Sequence, residues 1–247
     1  MNNDKSNENV FGFDRDKYPK LECWEFSNNT SNRCLFIESE YEDIIYDEEK
    51  KEEYPAWTAD FEARFPDLDD PYRDYTQFKR LTDWLVSTRQ DAATEEPLDP
   101  VVTYGDKTYD KDTAEYRLAK FKNEFDNYFY KAPIIFYYLF TETFLMIDSR
   151  AKNMFLTTFD GEHWFPIPYD MDTAIGINNE GKLVFEYDLE DTDYVRGSKV
   201  FNGQDSTLWI NVRDAFTSDL FNMYHDLRTN SSNPFSYETI NNLMVKH

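Results

Sequence analysis

The chain has 247 residues, of which 40% are hydrophobic and 18% aromatic, and its net charge at neutral pH is −23. A chain of this length and composition can bury a sizeable core, which argues against wholesale disorder. The negative charge repels nucleic-acid phosphates and anionic membrane surfaces, so we expect neither as a partner.

The N-terminus, the longest apolar run and the cysteines exclude further classes of protein. The first ten residues, MNNDKSNENV, are polar and acidic and lack the apolar segment of a signal peptide. The most apolar run, residues 132–147, is interrupted by polar residues and is short for a bilayer, so we expect a buried helix and no membrane insertion. Cys23 and Cys34 fit neither a zinc site nor a disulfide framework and are expected to be reduced, buried thiols.

Composition and periodicity divide the chain into four segments. Residues 1–20 are predicted to form an exposed arm, and residues 21–70 an N-terminal region with a hairpin and an aromatic helix. Residues 71–230 are predicted to form the core. Residues 231–247 begin a further helix whose pattern runs to the last residue, so we expect a truncated or processed C-terminal helix.

The N-terminal region combines strand and helix patterns. Leu21–Phe26 and Arg33–Glu38 have the composition of strands, and the polar SNNTSN between them favours a turn. Residues 39–54 are rich in charge and are predicted to lie on the surface. A helix that Pro66 would end is indicated by three aromatic residues at helix-like spacing, namely Trp57, Phe61 and Phe65.

The core is predicted to begin with two amphipathic helices. Tyr72–Gln90 places its apolar side chains on one helical face. Residues 91–111 are predicted to be a loop with a small hairpin around YGDKTY. Asp112, with Glu115 three residues later, resembles a capping box that starts the second helix. The apolar stripe of that helix consists of Leu118, Phe121, Phe125 and Phe129.

The next helix is apolar on nearly every side. Pro133 suits a first helical turn, and the sequence PIIFYYLFTETFLMI that it opens is typical of a central, buried helix. Glu142 lies within this run and needs a partner if it is buried, for which Arg150 is a natural candidate. Further along, Ser206–Arg228 predicts one helix or a pair of helices, and another helix is predicted to start at Ser236.

Between these helices lies the pattern of a β-hairpin. Asp160-Gly161 separates two apolar runs, NMFLTTF and EHWFPIP, and such a pair is a strong local signal for a hairpin. Pro166 and Pro168 cannot donate backbone hydrogen bonds, so the second strand is expected at the edge of a sheet.

Carboxylate and amide side chains flank this hairpin. Asp148 and Asn153 precede it, and PYDMD, with Asp170 and Asp172, follows it. Protein kinases have a catalytic Asp and an Asn, a short hairpin and a metal-binding Asp in this order. In that chemistry one carboxylate deprotonates the hydroxyl nucleophile, while an amide oxygen and a second carboxylate hold Mg²⁺ over the phosphates. The order predicts Asp148 as the base and Asn153, Asp170 and Asp172 as metal ligands.

The segment FLMIDSRAKNMFLTTFDGEHWFPIPYDMDTAIG resembles the CotH kinase-like family, and the resemblance covers about residues 136–176. The positions that match the family pattern are Asp148, Asn153, Trp164, Pro168, Tyr169, Asp170, Asp172 and Gly176. The resemblance implies a helix-rich α+β fold with a kinase-like catalytic-lobe core and a short hairpin between the Asp/Asn loop and PYDMD. It also implies the use of ATP and Mg²⁺, with Asp148 as the catalytic aspartate and Asp170 as a metal ligand.

The sequence departs from this family at several points. Ile147 stands where the family often has tryptophan. Arg150, by contrast, is a basic residue at a position where the family often has a basic residue or histidine, so we group Arg150 with Asp148 as catalytic. The chain has seven glycines and no G-x-G-x-x-G loop, and no lysine lies in a V-A-I-K-like strand. Either the nucleotide lobe belongs to a longer precursor or the domain no longer binds ATP.

The same segment also resembles large tail proteins of bacteriophages that infect gut bacteria, which carry CotH-like domains as building blocks. The 21 phenylalanines and 18 tyrosines suit subunit interfaces as well as a core. We therefore predict a structural protein of a phage virion, a tail component made in the host cytoplasm, with other virion subunits as partners in an oligomer. The alternative is an active atypical protein kinase that uses ATP and Mg²⁺, and a calcium-stabilised assembly module is a third reading.

Simpler roles exist for each of these acidic residues. Asp148 could end a helix, and Asp170 and Asp172 could be turn residues. Residues 186–193, EYDLEDTD, lack the residue order of an EF-hand loop and are expected to be a solvated acidic loop.

Overall fold

The computed structural model describes residues 11–26, 44–48, 51–55, 61–65, 76–94, 97–146, 149–150, 153–177, 181–182, 206–229 and 233–246. These residues form a mixture of helices and antiparallel sheet, in agreement with the predicted α+β class. Within the described ranges, no helix is both long and apolar enough to cross a membrane.

The strands are β1 (Glu22–Phe26), β2 (Ile44–Asp47), β3 (Glu52–Pro55), β4 (Phe61–Phe65), β5 (Pro97–Tyr104), β6 (Lys107–Lys111), β7 (Met154–Thr158) and β8 (Phe165–Pro168). The α-helices are α1 (Thr76–Ser87), α2 (Ala114–Glu124), α3 (Lys131–Thr143), α4 (Thr207–Ala215), α5 (Thr217–Thr229) and α6 (Tyr237–Lys246). Short 3-10 helices cover Gln90–Ala92, Phe125–Asn127 and Ala174–Gly176.

The largest sheet joins the N-terminal region to the predicted hairpin. Its four strands lie in the order β4-β1-β7-β8, and each neighbouring pair is antiparallel. Strand β1 therefore pairs on one side with β4 and on the other with β7, with Trp24 opposite Leu156. Although β1 and β7 are distant in the sequence, their pairing places residues 22–26 in the same sheet as the segment that carries the candidate site.

Aromatic side chains fill the space between this sheet and α1. Phe78 of α1 is fully buried, stacks on Trp24 of β1 with ring centroids 4.4 Å apart, and meets Trp164 edge to face at 5.6 Å. Trp164 is also fully buried and immediately precedes β8. The three rings connect α1, β1 and the hairpin, and burial of this much apolar surface is a dominant favourable contribution to folding.

A second aromatic group connects the helices. Trp84 of α1 stacks on Tyr128 at 4.1 Å and on Phe121 of α2 at 5.3 Å. Phe125 contacts Phe216, which lies between α4 and α5, at 4.8 Å. The predicted stripe of α2 is confirmed at Phe121, Phe125 and Phe129, all of which are buried. The stripe continues past the end of α2 because the chain tightens into a 3-10 turn at Phe125–Asn127.

The opposite face of the sheet is covered by the N-terminal segment. Phe13 is buried and contacts Phe65 of β4 at 5.6 Å and Phe159 at 6.0 Å. Cys23 lies beneath this cover as a free thiol, and its burial raises its pKa to about 12. Within the predicted exposed arm, Phe11, Phe13 and Tyr18 pack against the sheet. The other described residues of the arm are mostly exposed, namely Gly12, Asp14, Asp16, Lys17, Pro19 and Lys20.

The predicted aromatic helix through Phe61 and Phe65 is wrong. Both residues lie in strand β4, which pairs with β1. A spacing of four places side chains on one side of a helix, but it also does so in a strand, where alternate residues face the same way. The bulge in the β1–β4 pairing lies between Cys23 and Trp24. The other predicted partner for β1, Arg33–Glu38, lies outside the described residues, as does Cys34.

One hairpin was not predicted from the sequence, and another is longer than predicted. Residues predicted to be a charged surface segment contain the β2–β3 hairpin, which pairs Ile45 with Tyr54. The hairpin expected around YGDKTY is confirmed, and its strands β5 and β6 extend further than the motif. In both cases, strand pairing outweighs the low strand propensity of charged residues or prolines.

The predicted starts of α2 and α6 agree with the structure to within a residue or two. Thr113, rather than Asp112, caps α2, because its hydroxyl accepts a hydrogen bond from the backbone N–H of Tyr116 at 3.0 Å. Asp112 forms a salt bridge with Arg117 instead. The predicted helix pair is present as α4 and α5. Ser236 caps α6 by accepting a hydrogen bond from Thr239 N–H at 3.2 Å.

Helix α3 is less buried than its composition predicts. Five of its side chains are buried, but that of Phe136 is 40% exposed. The exposed ring stacks on Phe140 of the same helix and on Phe235. One flank of the helix therefore lies near the surface of the molecule.

We expect Phe78→Ala to lower the free energy of unfolding by about 3–5 kcal/mol, because it leaves a cavity between Trp24 and Trp164. The matched control is Phe221→Ala on α5, where the side chain is 68% exposed and the change should stay within about 0.5 kcal/mol. Urea unfolding of the three proteins measures both values. Similar losses in the two variants would contradict this account of the core.

Candidate functional site

The predicted hairpin is present and forms one half of the main sheet. Strands β7 and β8 pair from Met154 opposite Pro168 to Thr157 opposite Phe165. Strand β7 is buried along its whole length, whereas β8 lies at the edge, as its two prolines predicted. The hairpin therefore has a closed tip near Asp160 and an open end near Asn153.

The open end brings together two of the predicted site residues. The backbone N–H of Tyr169 donates to the carbonyl oxygen of Asn153 at 3.1 Å, which extends the pairing by one step beyond Met154 and Pro168. Asp170 is the next residue after Tyr169. Asn153 and Asp170 thus leave the two strands side by side, which is the juxtaposition that the order of residues in the sequence predicted.

Both residues have a backbone conformation that is uncommon outside glycine. The φ angle is 58° at Asn153 and 47° at Asp170. Asparagine and aspartate tolerate this left-handed region better than other residues, and such conformations concentrate at functional sites. The two positive φ angles lie immediately before β7 and two residues after β8.

The end of α3 contacts the segment that follows PYDMD. Leu145 and Ile175 also have positive φ angles, of 47° and 61°. The N–H of Ile175 donates to Phe144 O at 2.6 Å, and the N–H of Gly176 donates to Leu145 O at 3.0 Å. These hydrogen bonds join the segment just after α3 to the segment that follows the hairpin. The residues before and after the hairpin are therefore held close to each other.

The other predicted site residues are not seen at the open end. Asp172 is exposed, and the next residue, Thr173, is fully buried. Asp148 lies outside the described residues, so its predicted role as the base stays a prediction. Residues 186–193 also lie outside them.

Arg150 is almost completely buried. Only 2% of its side chain is exposed, it forms an ion pair with Glu142 of α3, and its guanidinium lies 4.3 Å from the ring centroid of Tyr138. The predicted pairing of Glu142 with Arg150 is confirmed. A guanidinium held between a carboxylate and an aromatic ring inside the protein is well placed to fix the local backbone. A direct catalytic role for Arg150 stays a prediction.

Two aromatic side chains hold the backbone at Ser149 and Arg150. The hydroxyl of Tyr137 donates to the carbonyl oxygen of Ser149 at 2.5 Å, and the indole N–H of Trp209 donates to that of Arg150 at 3.0 Å. These contacts were not predicted from the sequence, because the donors are 12 and 59 residues away from their acceptors. Their sequence signal, two aromatic residues in apolar helices, is indistinguishable from that of ordinary core residues.

The tip of the hairpin is organised by a carboxylate. Asp160 accepts hydrogen bonds from the backbone N–H groups of Glu162 and His163 and from the hydroxyl of Thr158, and its other oxygen lies 2.7 Å from His163 Nδ1. Burial raises the pKa of Asp160, but these hydrogen bonds together outweigh it and hold the pKa well below its usual range. Asp160 therefore stabilises the turn as an anion, at the end of the hairpin away from Asn153.

The donor set at the open end suits a hard cation. Amide and carboxylate oxygens, as in Asn153 and Asp170, are ligands that Mg²⁺ and Ca²⁺ prefer. Among the residues that the structure describes, no three His, Cys, Asp or Glu side chains are close enough to one another to form a metal site. The predicted ligand set of Asn153, Asp170 and Asp172 therefore stays a prediction.

No protein-family model, no curated protein and no solved structure matches this chain. The resemblance to CotH kinases therefore rests on the sequence between residues 136 and 176.

We expect Asp160→Asn to destabilise the protein by about 1 kcal/mol at neutral pH, a modest loss because the carboxylate is partly exposed and screened. A carboxyl whose pKa is lowered by folding contributes its stability above its unfolded pKa, and that stability is lost as the pH falls towards the folded pKa. The difference between wild type and variant should therefore shrink below about pH 4.

Urea midpoints measured across this pH range give the difference directly. Asp106→Asn, at an exposed turn, is the matched control and should show no such trend. A difference between wild type and Asp160→Asn that stays constant down to about pH 2 would contradict the assigned role of the Asp160 anion.

Proposed function

We propose that this chain is a structural protein of a bacteriophage virion, a tail component, in which a kinase-like domain of the CotH type serves mainly as a structural module. We further propose that a divalent cation, Mg²⁺ or Ca²⁺, binds at the open end of the β7–β8 hairpin and stabilises that module. The observation that carries the proposal is the backbone hydrogen bond between Asn153 and Tyr169 at that end, which places Asp170, the next residue, beside the start of β7.

The cation would stabilise the fold at two residues with an uncommon backbone conformation. Asn153 and Asp170 both have positive φ angles, and their strands end beside each other. A cation held by their oxygens would offset repulsion among acidic side chains in a chain with a net charge of −23. Arg150, which a working kinase could direct to a substrate, is instead buried against Glu142 and Tyr138, which favours a scaffold role.

The apolar surface of the last two helices supports assembly. Most of the large hydrophobic side chains that are exposed in the described ranges lie on α5 and α6, namely Phe221, Tyr224, Tyr237, Leu243, Met244 and Val245. Exposed large apolar side chains are a feature of many protein–protein interfaces. We call these six residues the C-terminal apolar surface and propose that it contacts other virion subunits, including further copies of this chain.

The second candidate is an active atypical protein kinase. The same pair, Asn153 and Asp170, favours it, because kinases hold Mg²⁺ over the phosphates of ATP with an asparagine and an aspartate. In that case Asp148 would accept the proton of a protein hydroxyl, and Arg150 would help to position Asp148. ATP binding separates the two candidates.

We expect Mg²⁺ or Ca²⁺ to raise the unfolding temperature of the purified chain, with a stabilisation of about 2.7 kcal/mol when the free cation exceeds its Kd a hundredfold. Asp170→Ala and Asn153→Ala should abolish the shift, because each removes an oxygen ligand. The control Asp106→Asn, at an exposed turn, should keep it. The measurement is thermal unfolding with each cation and with a chelator.

Calorimetric titration with ATP in the presence of Mg²⁺ completes the test. A cation shift without ATP heat supports the structural module, whereas ATP binding that Asp170→Ala abolishes would establish the kinase reading instead. Absence of a cation shift in the wild-type protein would overturn the proposed cation site.

We expect the wild-type chain to self-associate in sedimentation velocity experiments, and the double variant Leu243→Ser with Met244→Ser to remain monomeric. Both side chains are more than half exposed, so the changes should leave stability within about 0.5 kcal/mol of wild type. Asn241→Ser, at an exposed position on the same helix, is the control and should associate like wild type. A wild-type chain that stays monomeric would contradict contact between copies of this chain through the C-terminal apolar surface.

A further inference from the structure

Helix α6 buries none of its described side chains. Of the nine side chains from Tyr237 to Val245, seven are exposed and two, those of Thr239 and Ile240, are half-buried. Isolated helices of about ten residues are marginal in water, and most helical stability in proteins comes from packing of an apolar face. Within the described part of the chain, α6 therefore lacks the packing that a helix of its length requires.

The apolar side chains of α6 lie on one side of the helix. Tyr237, Ile240, Leu243 and Met244 follow one another at the three- and four-residue spacings that place side chains on the same helical face. Tyr237 is 79% exposed, Leu243 57% and Met244 68%. Such a stripe normally faces a protein core or a partner. In the single chain it faces solvent.

The distribution of charge favours one kind of partner for this stripe. Helix α5 contains Asp219, Asp226 and Arg228, and α6 contains Glu238 and Lys246, so the two helices together carry a formal charge of −1 with histidine neutral, whereas the whole chain carries −23. A basic partner would be attracted to the acidic remainder of the chain. A second copy of the chain is equally acidic, and it meets little local repulsion at these two helices.

Symmetry favours the same partner. In an isologous dimer each copy contributes the same surface, so a single interface covers the apolar stripe of both chains. A head-to-tail contact, by comparison, leaves one stripe uncovered unless the subunits close into a ring.

We propose that the C-terminal apolar surface packs against the same surface of a second copy of this chain, and that this contact stabilises α6 as a helix. Repulsion between two chains that each carry −23 opposes the contact, so the dimer strengthens as salt screens that repulsion. An interface held by ion pairs would respond to salt in the opposite direction. The inference rests on the proposed function, for which it names the partner and a means of regulation.

Sedimentation velocity at two ionic strengths tests the partner. We expect the Kd of the wild-type dimer to fall about tenfold between about 10 and about 150 mM NaCl, because the screening length falls from about 30 Å to about 8 Å. The double variant Leu243→Ser with Met244→Ser should remain monomeric at both salt concentrations. The matched control is Asn242→Ser, which lies two residues from Ile240 and from Met244 and so on the opposite side of α6. This control should dimerise like wild type.

Amide hydrogen exchange of the peptide covering residues 237–246 tests whether the contact stabilises α6. Above the Kd, exchange should be slow in the wild-type chain and in Asn242→Ser and fast in the double variant. Peptides of α1 should exchange alike in all three proteins, which verifies that each is folded. Exchange in the wild-type chain should accelerate on dilution below the Kd.

Each contrary result overturns a different part of the inference. A dimer in which α6 exchanges as fast as in the monomer would place the contact elsewhere, and slow exchange of α6 in the monomer would show that α6 needs no second copy. A dimer that weakens with salt would overturn the role of repulsion. A wild-type chain that stays monomeric at both salt concentrations would overturn the second copy as the partner, while the cation and ATP measurements test the rest of the proposed function independently.

Discussion

The pairing of β1 with β7 is the interaction on which the rest of the structure depends. It places Trp24 beside Leu156 and so joins a strand from the N-terminal region to the hairpin that carries Asn153 and Asp170. With β4 on the far side of β1, the hairpin becomes part of a four-stranded sheet. An isolated two-stranded hairpin is marginally stable in water, and two further strands and packing against α1 give it the support that such a hairpin lacks.

The two faces of this sheet are covered by different means. On one face, Phe78 of α1 packs between Trp24 and Trp164. On the other face, Phe13 of the N-terminal segment covers Phe65 and the buried thiol of Cys23. Both faces of the sheet are thus covered. The open end of the β7–β8 hairpin is therefore positioned by this packing as well as by the turn at Asp160.

Charge and strain concentrate at opposite ends of the hairpin and have different physical roles. At the tip, Asp160 accepts several hydrogen bonds and stabilises the turn as an anion. At the open end, Asn153 and Asp170 have positive φ angles, and the oxygens of these side chains suit a hard cation. Hydrogen bonds from Tyr137 and Trp209 connect the backbone at Ser149 and Arg150 to α3 and α4. Oxygen donors at the end of a packed sheet are compatible both with a structural module and with a kinase.

The sequence by itself determined the elements whose signals are local. The Asp160-Gly161 pair predicted the hairpin, apolar periodicity predicted α1 and the aromatic stripe of α2, and the order of residues around the hairpin placed Asn153 before its first strand and Asp170 after its second. Helix propensity, capping and turn chemistry act within a few residues, so one sequence suffices to recognise them.

Only the tertiary structure decided which segments pair and what supports the site. The spacing of Phe61 and Phe65 fits a helix and a strand equally, and pairing with β1 made it a strand. The sequence predicted Phe13 to lie in an exposed arm, but its ring packs against Phe65 on the apolar face of the sheet. The hydrogen bonds from Tyr137 and Trp209 join residues far apart in the sequence, and no local pattern distinguishes such donors from the rest of an aromatic core.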